Sequence, residues 1–212
     1  MGRNREPLIS LAFYNYFKWS VVSPVFLVYF QGKIHGLEKV PKEGPVIIVS
    51  NHASYYDPPI VAAGMGRPVS YMAKAELFSN SFFSKLLNIY GAYPVSRGTA
   101  DLSAIRSALR YLDDGWAAGV FLEGTRTPDG RITNPKRGAA LLAAKAKAPL
   151  LPVSVWGSEN ILEKGSQVPR RVPVTVRVGN LIDAPTSSDR QELEEITLRC
   201  AKEINEMHDL GR

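Results

Sequence analysis

His52 and Asp57 lie in the stretch VSNHASYYDPP (49–59), directly after an apolar run. An aspartate that reaches back across a tight turn can accept a hydrogen bond from Nδ1 of the imidazole, which fixes the tautomer and leaves Nε2 as a general base. Asp57 followed by Pro58 is also a typical helix start, with aspartate as the N-cap and proline in the first turn. The spacing leaves both interpretations open, and they are compatible if the second carboxylate oxygen caps the helix.

Basic side chains gather after several other apolar runs. GAYPVSRGT (91–99) contains Arg97, and FLEGTRTPDGR (121–131) contains Glu123, Gly124, Thr125 and Arg126. From Arg126 to Lys147 there are six basic residues and one acidic residue, with Lys136 and Arg137 among the basic ones. Gly124 would let the backbone approach a ligand closely. Arginine can grip a phosphate with two parallel hydrogen bonds, so the pattern indicates a phosphate site, although each cation taken alone could be a solvated surface charge.

The elements that must position these residues alternate between short apolar runs and amphipathic stretches. The runs predict strands over 45–50, 68–73, 92–96, 119–124, 149–156 and 172–179. Helices are predicted over 58–66, 81–91, 100–114, 136–147 and from Ser187 or Ser188 onward, the last with Leu193, Ile196, Cys200, Ile204 and Met207 on one stripe. The alternation predicts an α/β fold with a mostly parallel or mixed central sheet flanked by helices. Ligands collect beyond the carboxyl ends of such strands, where the polar residues above are found.

The composition narrows the class of partner. The net charge is +6, but residues 187–209 hold seven acidic and three basic side chains, so the rest of the chain has 23 basic against 13 acidic. This surface favours an anionic partner: a phosphorylated metabolite, an anionic membrane or a nucleic acid. We expect no nucleic acid, because no helix-turn-helix, RNA-recognition or zinc-finger signature is present. We also expect no metal, and the single Cys200 excludes an internal disulfide framework.

Residues 8–30 are the most apolar stretch and carry seven Phe and Tyr residues together with Trp19. As one helix they would be about 35 Å long, enough to cross a bilayer. Lys18 lies near the middle, and Pro24 would kink the helix. The stretch therefore predicts an interfacial or re-entrant anchor, with a true span and a buried core helix as alternatives. We accordingly divide the chain into a membrane-associating segment (1–31) and a catalytic domain (32–212).

Four motifs together resemble the glycerolipid acyltransferases. NHASYYD (51–57) matches the N-H-x4-D motif of that family, GAYPVSR (91–97) its second block, FLEGTRT (121–127) its third and APLLPVSV (148–155) its fourth. They occur in the family's order and cover about residues 45 to 155. The third block is usually F-P-E-G-T-R-S, so Leu122 and Thr127 depart from the pattern. Size and the N-terminal apolar segment most resemble the bacterial lysophosphatidate acyltransferases.

The resemblance implies that His52 is the general base that takes the proton of the acceptor hydroxyl, with Asp57 orienting and charge-balancing the imidazole. It implies that Glu123, Gly124, Thr125 and Arg126 bind the acceptor, with Arg126 the first and Arg97 the second candidate for the phosphate. Lys74 in YMAKAELF would be a further phosphate contact. Glu123 would orient a glycerol hydroxyl or hold the arginines.

No bound cofactor is implied, because the acyl group arrives as a thioester on acyl carrier protein or coenzyme A. The partners are then lysophosphatidate, one of these two carriers and membrane phospholipids, and the expected location is the cytoplasmic face of the cell membrane. Acylation of glycerol 3-phosphate or of another lysophospholipid remains an alternative, because the motifs are shared. A membrane lipid-binding protein without turnover is the alternative of another class.

Overall fold

The computed structural model describes residues 8–80, 84–85, 87–88, 90–95, 102–163, 165–166 and 168–212. The strands are β1 (Lys33–His35), β2 (Ile47–Ser50), β3 (Val69–Lys74), β4 (Ala92–Val95), β5 (Ala117–Phe121), β6 (Leu150–Trp156) and β7 (Thr175–Val178). They form one sheet in the order β1-β7-β6-β2-β5-β3-β4. Strands β2 to β6 are parallel, whereas β7 is antiparallel to β6 and β1 is parallel to β7. The predicted α/β class with a mixed sheet is confirmed.

Several strand boundaries lie one to three residues from the predicted ones, and one strand, β1, was not predicted. Strand β5 begins at Ala117 and ends at Phe121, so Glu123 and Gly124, predicted as its last residues, lie in the following turn. Strand β1 was not predicted, because it is only three residues long and two of them, Lys33 and His35, are exposed. An edge strand of this kind shows no apolar run in the sequence.

The helices are α1 (Leu8–Phe17), α2 (Asp57–Gly64), α3 (Leu102–Asp113), α4 (Gly138–Ala146) and α5 (Arg190–Asp209). One face of the sheet packs against α2 and the N-terminal segment, and the other packs against α3, α4 and α5. Of the helix predicted over 81–91, residues 84–85 and 87–88 are helical and 90–91 form a turn, while 81–83, 86 and 89 lie outside the described residues. Side chains alternate between the faces along each strand, so neighbouring residues such as Ile47 and Ile48 belong to different cores.

Helix α5 presents the predicted stripe to the sheet. Leu193, Cys200 and Ile204 are buried, and Ile196 and Met207 pack partly against the same core. Burial raises the pKa of the Cys200 thiol to about 12. A thiol in this environment is not a nucleophile at neutral pH, so Cys200 is a packing residue.

The N-terminal segment is helical but not uniform. After α1 the hydrogen bonding becomes π-helical over Lys18–Val22 and again over Val25–Tyr29, so Pro24, which lacks an N–H, falls between the two stretches. Tyr14, Phe26 and Phe30 are buried, whereas many side chains between them are exposed. In the described part of the chain, no helix combines the length and apolarity needed to cross a membrane.

Arg67 ties together the loops at the amino ends of β2, β3 and β5. It is 7% exposed, its Nη1 donates to the Pro41 carbonyl, and its Nη2 donates to the carbonyls of Gly44 and Gly115, each at 2.9 Å. A planar guanidinium can satisfy three carbonyls that converge on one point, which an ammonium on a flexible stem does poorly.

We expect Arg67→Ala to lower the free energy of unfolding by about 3 kcal/mol, because it leaves buried carbonyls without donors. Urea unfolding measures the loss, and Arg67→Lys, which keeps the charge, should recover only part of it. Arg67 lies at the amino ends of the strands, whereas His52 follows the carboxyl end of β2. The activity of the folded fraction should therefore not change. An unchanged unfolding midpoint for Arg67→Ala would contradict this role.

Candidate active site

His52 and Asp57 occupy the turn between β2 and α2, which we call the His52 turn (residues 51–57). Nδ1 of His52 lies 2.8 Å from Oδ2 of Asp57. The Asp57 side chain is fully buried, and that of His52 is 14% exposed. Because an ionised carboxylate only accepts hydrogen bonds, Nδ1 carries the proton and Nε2 keeps a lone pair. The contact that the spacing allowed and the resemblance implied is present, and the catalytic role of the pair stays a prediction.

The carboxylate of Asp57 is fixed by its own turn. Oδ2 also accepts hydrogen bonds from the backbone N–H groups of Ala53 and Ser54, each at 2.7 Å. The expectation that the second oxygen caps α2 is wrong: the N-cap is Tyr56, and Oδ1 is buried without a partner among the described residues. The charge-assisted bonds from residues 52–54 pull the carboxylate away from the helix end.

The imidazole is held from a second side by the loop that follows β5. The ring of His52 stacks on that of Phe121 with centroids 4.0 Å apart and planes 16° apart. The carbonyl of His52 accepts hydrogen bonds from the Thr127 N–H at 2.8 Å and the Thr127 hydroxyl at 3.2 Å. A serine would keep both bonds, so the departure from the family pattern at Thr127 leaves this contact intact. Leu122 donates its N–H to the Ser50 carbonyl, a bond that the usual proline cannot make.

Asn51 connects three elements beneath the site. Its side-chain oxygen accepts from the Val155 N–H, and its Nδ2 donates to the carbonyls of Val155 and Gly130, all at 2.8 Å. Asn51 is 1% exposed. The amide, with both donors and acceptor, fixes the exit of β2 against β6 and against the loop that carries Gly130. The sequence analysis gave Asn51 no role.

Residues 122–137, the β5–α4 loop, contain most of the predicted acceptor-binding block. Oε1 of Glu123 accepts from the Thr133 N–H, the Thr133 hydroxyl and the Asn134 N–H. Glu123 thus holds the returning arm of its own loop, and no arginine pairs with it in the described ion pairs. Gly124 has a φ of +70°, which disfavours any side chain there, and Thr125 is exposed.

Arg126 lies beside the His52 turn. Its guanidinium carbon is 3.6 Å from the ring centroid of Tyr55, and its Nη2 donates to the Tyr55 hydroxyl at 2.8 Å. The two residues border a cavity of about 270 Å³, which is also lined by Ala53, Ser54 and residues from 158–166. The sequence analysis did not single out Tyr55. Its position as an aromatic residue inside the N-H-x4-D turn was the available signal.

The other predicted cations are not brought to this cavity. Lys74 ends β3, is largely exposed and pairs with Glu76 at 3.2 Å. Because side chains alternate along a strand, Lys74, three residues after Tyr71, lies on the face of the sheet opposite to the Tyr71 ring. Arg97 lies outside the described residues. Lys136 and Arg137 line a separate groove of about 520 Å³ with Pro135, Gly138, Leu141 and Leu193. Within the described part of the chain, no three His, Cys, Asp or Glu residues are grouped to hold a metal.

The end of α5 holds the outer part of the β5–α4 loop. Asn205 accepts from the Ile132 N–H and donates to the Ile132 carbonyl, both at 2.9 Å, and Arg131 pairs with Asp209. His208 is so close to Gly130 that a Cβ there would lie 2.7 Å from its Nε2. The sequence analysis missed these contacts, because no local pattern links residues so far apart in the chain.

Comparison with known proteins follows the same motifs. A family model described as Acyltransferase matches residues 31–156. The 1-acyl-sn-glycerol-3-phosphate acyltransferase of Bacillus subtilis is 32% identical over 139 residues, which are 63% of this chain and 68% of that protein. The protein of the same name from Borreliella burgdorferi is 30% identical over 161 residues, which are 75% of this chain and 64% of that protein.

Other relatives are considerably longer. The 1-acyl-sn-glycerol-3-phosphate acyltransferase LPAT1 of Arabidopsis thaliana, a chloroplastic protein, is 27% identical over 152 residues, which are 70% of this chain but only 42% of that protein. The crystal structure of the 1-acyl-sn-glycerophosphate (LPA) acyltransferase PlsC from Thermotoga maritima has a TM-score of 0.69 at 22% identity and shares the fold over 93% of this chain and 95% of that chain.

The resemblance inferred from the four motifs is confirmed by these matches, and the family model spans the N-H-x4-D turn and the β5–α4 loop. The family model spans more than half of the chain, and the Bacillus subtilis relative is matched over two thirds of its length. The chain belongs to the acyltransferase family.

Proposed function

We propose that this protein transfers a fatty acyl group from an acyl thioester to the free hydroxyl of 1-acylglycerol 3-phosphate (lysophosphatidate), making phosphatidic acid for phospholipid synthesis. The observation that carries the proposal is the pairing of His52 with Asp57 next to a cavity bordered by Arg126. The names of the relatives, which are 1-acyl-sn-glycerol-3-phosphate acyltransferases, support the choice of acceptor.

In the reaction that we propose, Nε2 of His52 removes the proton of the acceptor hydroxyl while its oxygen attacks the thioester carbonyl. A C–O bond forms, and a tetrahedral oxyanion results. Asp57 stabilises the imidazolium through its bond to Nδ1. Collapse of the oxyanion breaks the C–S bond, and the departing thiolate takes the proton from the imidazolium. No acyl-enzyme is needed, in keeping with the burial of Cys200.

Arg126 is suited to the acceptor phosphate. One of its five N–H donors is used by Tyr55, and stacking on the Tyr55 ring fixes the plane of the guanidinium. The remaining donors can bind a phosphate with two parallel bonds. The cavity of about 270 Å³ has room for a glycerophosphate head group, and its lining by Ala53 and Ser54 brings that group to the His52 turn.

A second groove is suited to the carrier of the acyl donor. Lys136 and Arg137 line the groove of about 520 Å³ on the other side of the β5–α4 loop, with Leu141 and Leu193 as its apolar part. Acyl carrier protein and coenzyme A are both anionic, so two basic side chains suit either carrier. The groove is linked to the site because Lys136 donates its N–H to the Leu122 carbonyl at 2.7 Å, next to Phe121.

We expect His52→Ala to lower kcat about 10²–10⁴-fold, because the general base is lost. Asp57→Asn should lower kcat by about 10²-fold, since the amide keeps the size of the side chain but lacks the charge that stabilises the imidazolium. The purified proteins are assayed with a labelled acyl thioester on each carrier, using lysophosphatidate and glycerol 3-phosphate as acceptors in parallel.

Product from lysophosphatidate alone, lost in His52→Ala, supports both the acceptor and the base. Product from glycerol 3-phosphate alone keeps the chemistry and replaces the acceptor. Absence of turnover with every combination would favour a lipid-binding protein and overturn the proposal.

For Arg126→Ala we expect the KM for lysophosphatidate to rise at least about tenfold, because charge-assisted bonds to the phosphate are lost. The KM for the thioester should stay the same. Arg126→Lys keeps the charge without the planar fork and should give an intermediate value, while Tyr55→Phe removes only the hydroxyl contact and should have the smallest effect. A change in the KM of the thioester instead would assign Arg126 to the donor.

We further propose that the N-terminal segment lies on the cytoplasmic surface of the cell membrane. Lysophosphatidate is a membrane lipid, so its acyl chain must reach His52 without crossing water. The exposed side chains of residues 13–29 include Phe13, Tyr16, Trp19, Leu27 and Val28, and aromatic rings favour the head-group region. The excess of basic residues outside 187–209 suits anionic lipids.

Replacing Tyr16, Trp19 and Val28 by serine should release the protein from anionic vesicles in a sedimentation assay and lower activity on vesicle-embedded substrate. These side chains are 73%, 67% and 70% exposed, so the fold should not change. A deletion of residues 1–30 would remove the buried Tyr14, Phe26 and Phe30 as well and is a poorer test.

The matched control replaces Leu181, Leu198 and Leu210, which are 43%, 55% and 68% exposed elsewhere on the surface, by serine. Equal sedimentation of the two triple variants would refute the proposed membrane contact.

A further inference from the structure

Tyr71 lies under the proposed catalytic base. It is on β3 and 4% exposed, and its ring stacks on that of Phe121 with centroids 5.5 Å apart and planes 19° apart. Phe121 in turn stacks on His52. Three nearly parallel rings therefore form a column from the interior of the sheet to the imidazole.

The column requires a glycine on the neighbouring strand. Gly119 pairs with Tyr71 in the register of β3 and β5, and a Cβ on Gly119 would lie 2.2 Å from a ring carbon of Tyr71. The tyrosine ring fills the space that a side chain at 119 would take. The ring has no freedom to move towards β5, so the position of its hydroxyl is fixed by packing.

Three buried oxygens in this region have no hydrogen-bond partner in the described part of the chain: the hydroxyls of Tyr71 and Tyr90 and Oδ1 of Asp57. Burying such atoms unpaired is costly, and native proteins usually pair them with each other or with an ordered water molecule. Burial, the phenols of Tyr14 and Tyr90 and the charge of Asp57 all raise the pKa of Tyr71, so it remains a donor. The Asp57 carboxylate is an acceptor.

We propose that the Tyr71 hydroxyl donates, through one buried water molecule, to Oδ1 of Asp57. Tyr71 would then be a positioning residue for the base, a role that rests on the proposed function. With donors on both oxygens, the carboxylate cannot rotate away from Nδ1 of His52. A donor on Oδ1 also draws negative charge from Oδ2, which faces the imidazole.

Other ionisable groups surround Tyr71 and Asp57. Tyr14 and Tyr90 act on Tyr71, and Tyr14 also accepts the Val69 N–H at 3.4 Å. Glu159, whose pKa is raised mainly by burial, interacts with Asp57 from the segment after β6. These groups are unchanged in the test below, so a difference between variants reports on the Tyr71 hydroxyl.

The test compares Tyr71→Phe with Tyr93→Phe. Tyr93 is also 4% exposed and has a buried hydroxyl without a described partner, but it lies on β4 and packs in the core on the opposite face of the sheet. Each change removes one buried oxygen and keeps the ring. Both variants are compared with the wild type in kcat, KM, pH–rate profile, melting temperature and the NMR titration of the His52 imidazole.

For Tyr71→Phe we expect kcat to fall about tenfold with both KM values unchanged. The acid limb of the pH–rate profile and the midpoint of the His52 titration should move to higher pH, because the unshielded carboxylate favours the imidazolium. The melting temperature should fall. For Tyr93→Phe we expect wild-type kinetics and titration, with a melting temperature that is unchanged or higher.

If Tyr71→Phe behaves like Tyr93→Phe in the titration and the melting temperature, the proposed link to Asp57 is wrong. If Tyr71→Phe shifts both the titration and the melting temperature but the wild type shows no acyl transfer, the link to Asp57 stands and the proposed function fails. The titration and melting arms do not depend on turnover, so the two failures are distinguishable.

Discussion

The buried carboxylate of Asp57 is the group on which the rest of the site depends. A charge without solvent is tolerated only when hydrogen bonds replace the lost hydration. Here the backbone of Ala53 and Ser54 and the ring of His52 supply those bonds to one oxygen. The shape of the His52 turn is therefore set by the need to satisfy the carboxylate, and the orientation of the imidazole follows from it.

The second constraint is the position of the β5–α4 loop relative to that turn. Thr127 binds the His52 carbonyl, Asn51 binds the Gly130 carbonyl, and Glu123 binds the far arm of the loop. The polar side chains around the site divide into two groups. Asn51, Glu123 and Thr127 satisfy backbone groups, whereas Arg126 borders a cavity with most of its donors unpaired among the described residues.

The sequence predicted the parts of this structure whose cause is local. The apolar runs at β2, β5 and β6 predicted the central strands, and the N-H-x4-D motif implied the contact of His52 with Asp57 that its short spacing allows. It failed where one side chain has a choice of partners. The cap on α2 was wrong because the turn competes for the carboxylate, and the function suggested for Glu123 missed a partner at Thr133.

Lys74 illustrates a different limit of the sequence. A motif places it near the site along the chain, but the alternation of side chains along β3 and its pairing with Glu76 direct it elsewhere. Tyr55 shows the reverse case, because the stacking of Arg126 on its ring depends on how two loops meet in space.

The contact between Asn205 and Ile132 affects the order in which the parts of the proposed active site assemble during synthesis. The His52 turn closes within a few residues and can form as soon as it leaves the ribosome. Ile132, in the loop beside it, is made 73 residues before Asn205. At about 5–20 residues per second the nascent chain spends several seconds with its histidine in place and its neighbouring loop unsecured. The proposed active site is thus completed only when α5 docks against the β5–α4 loop.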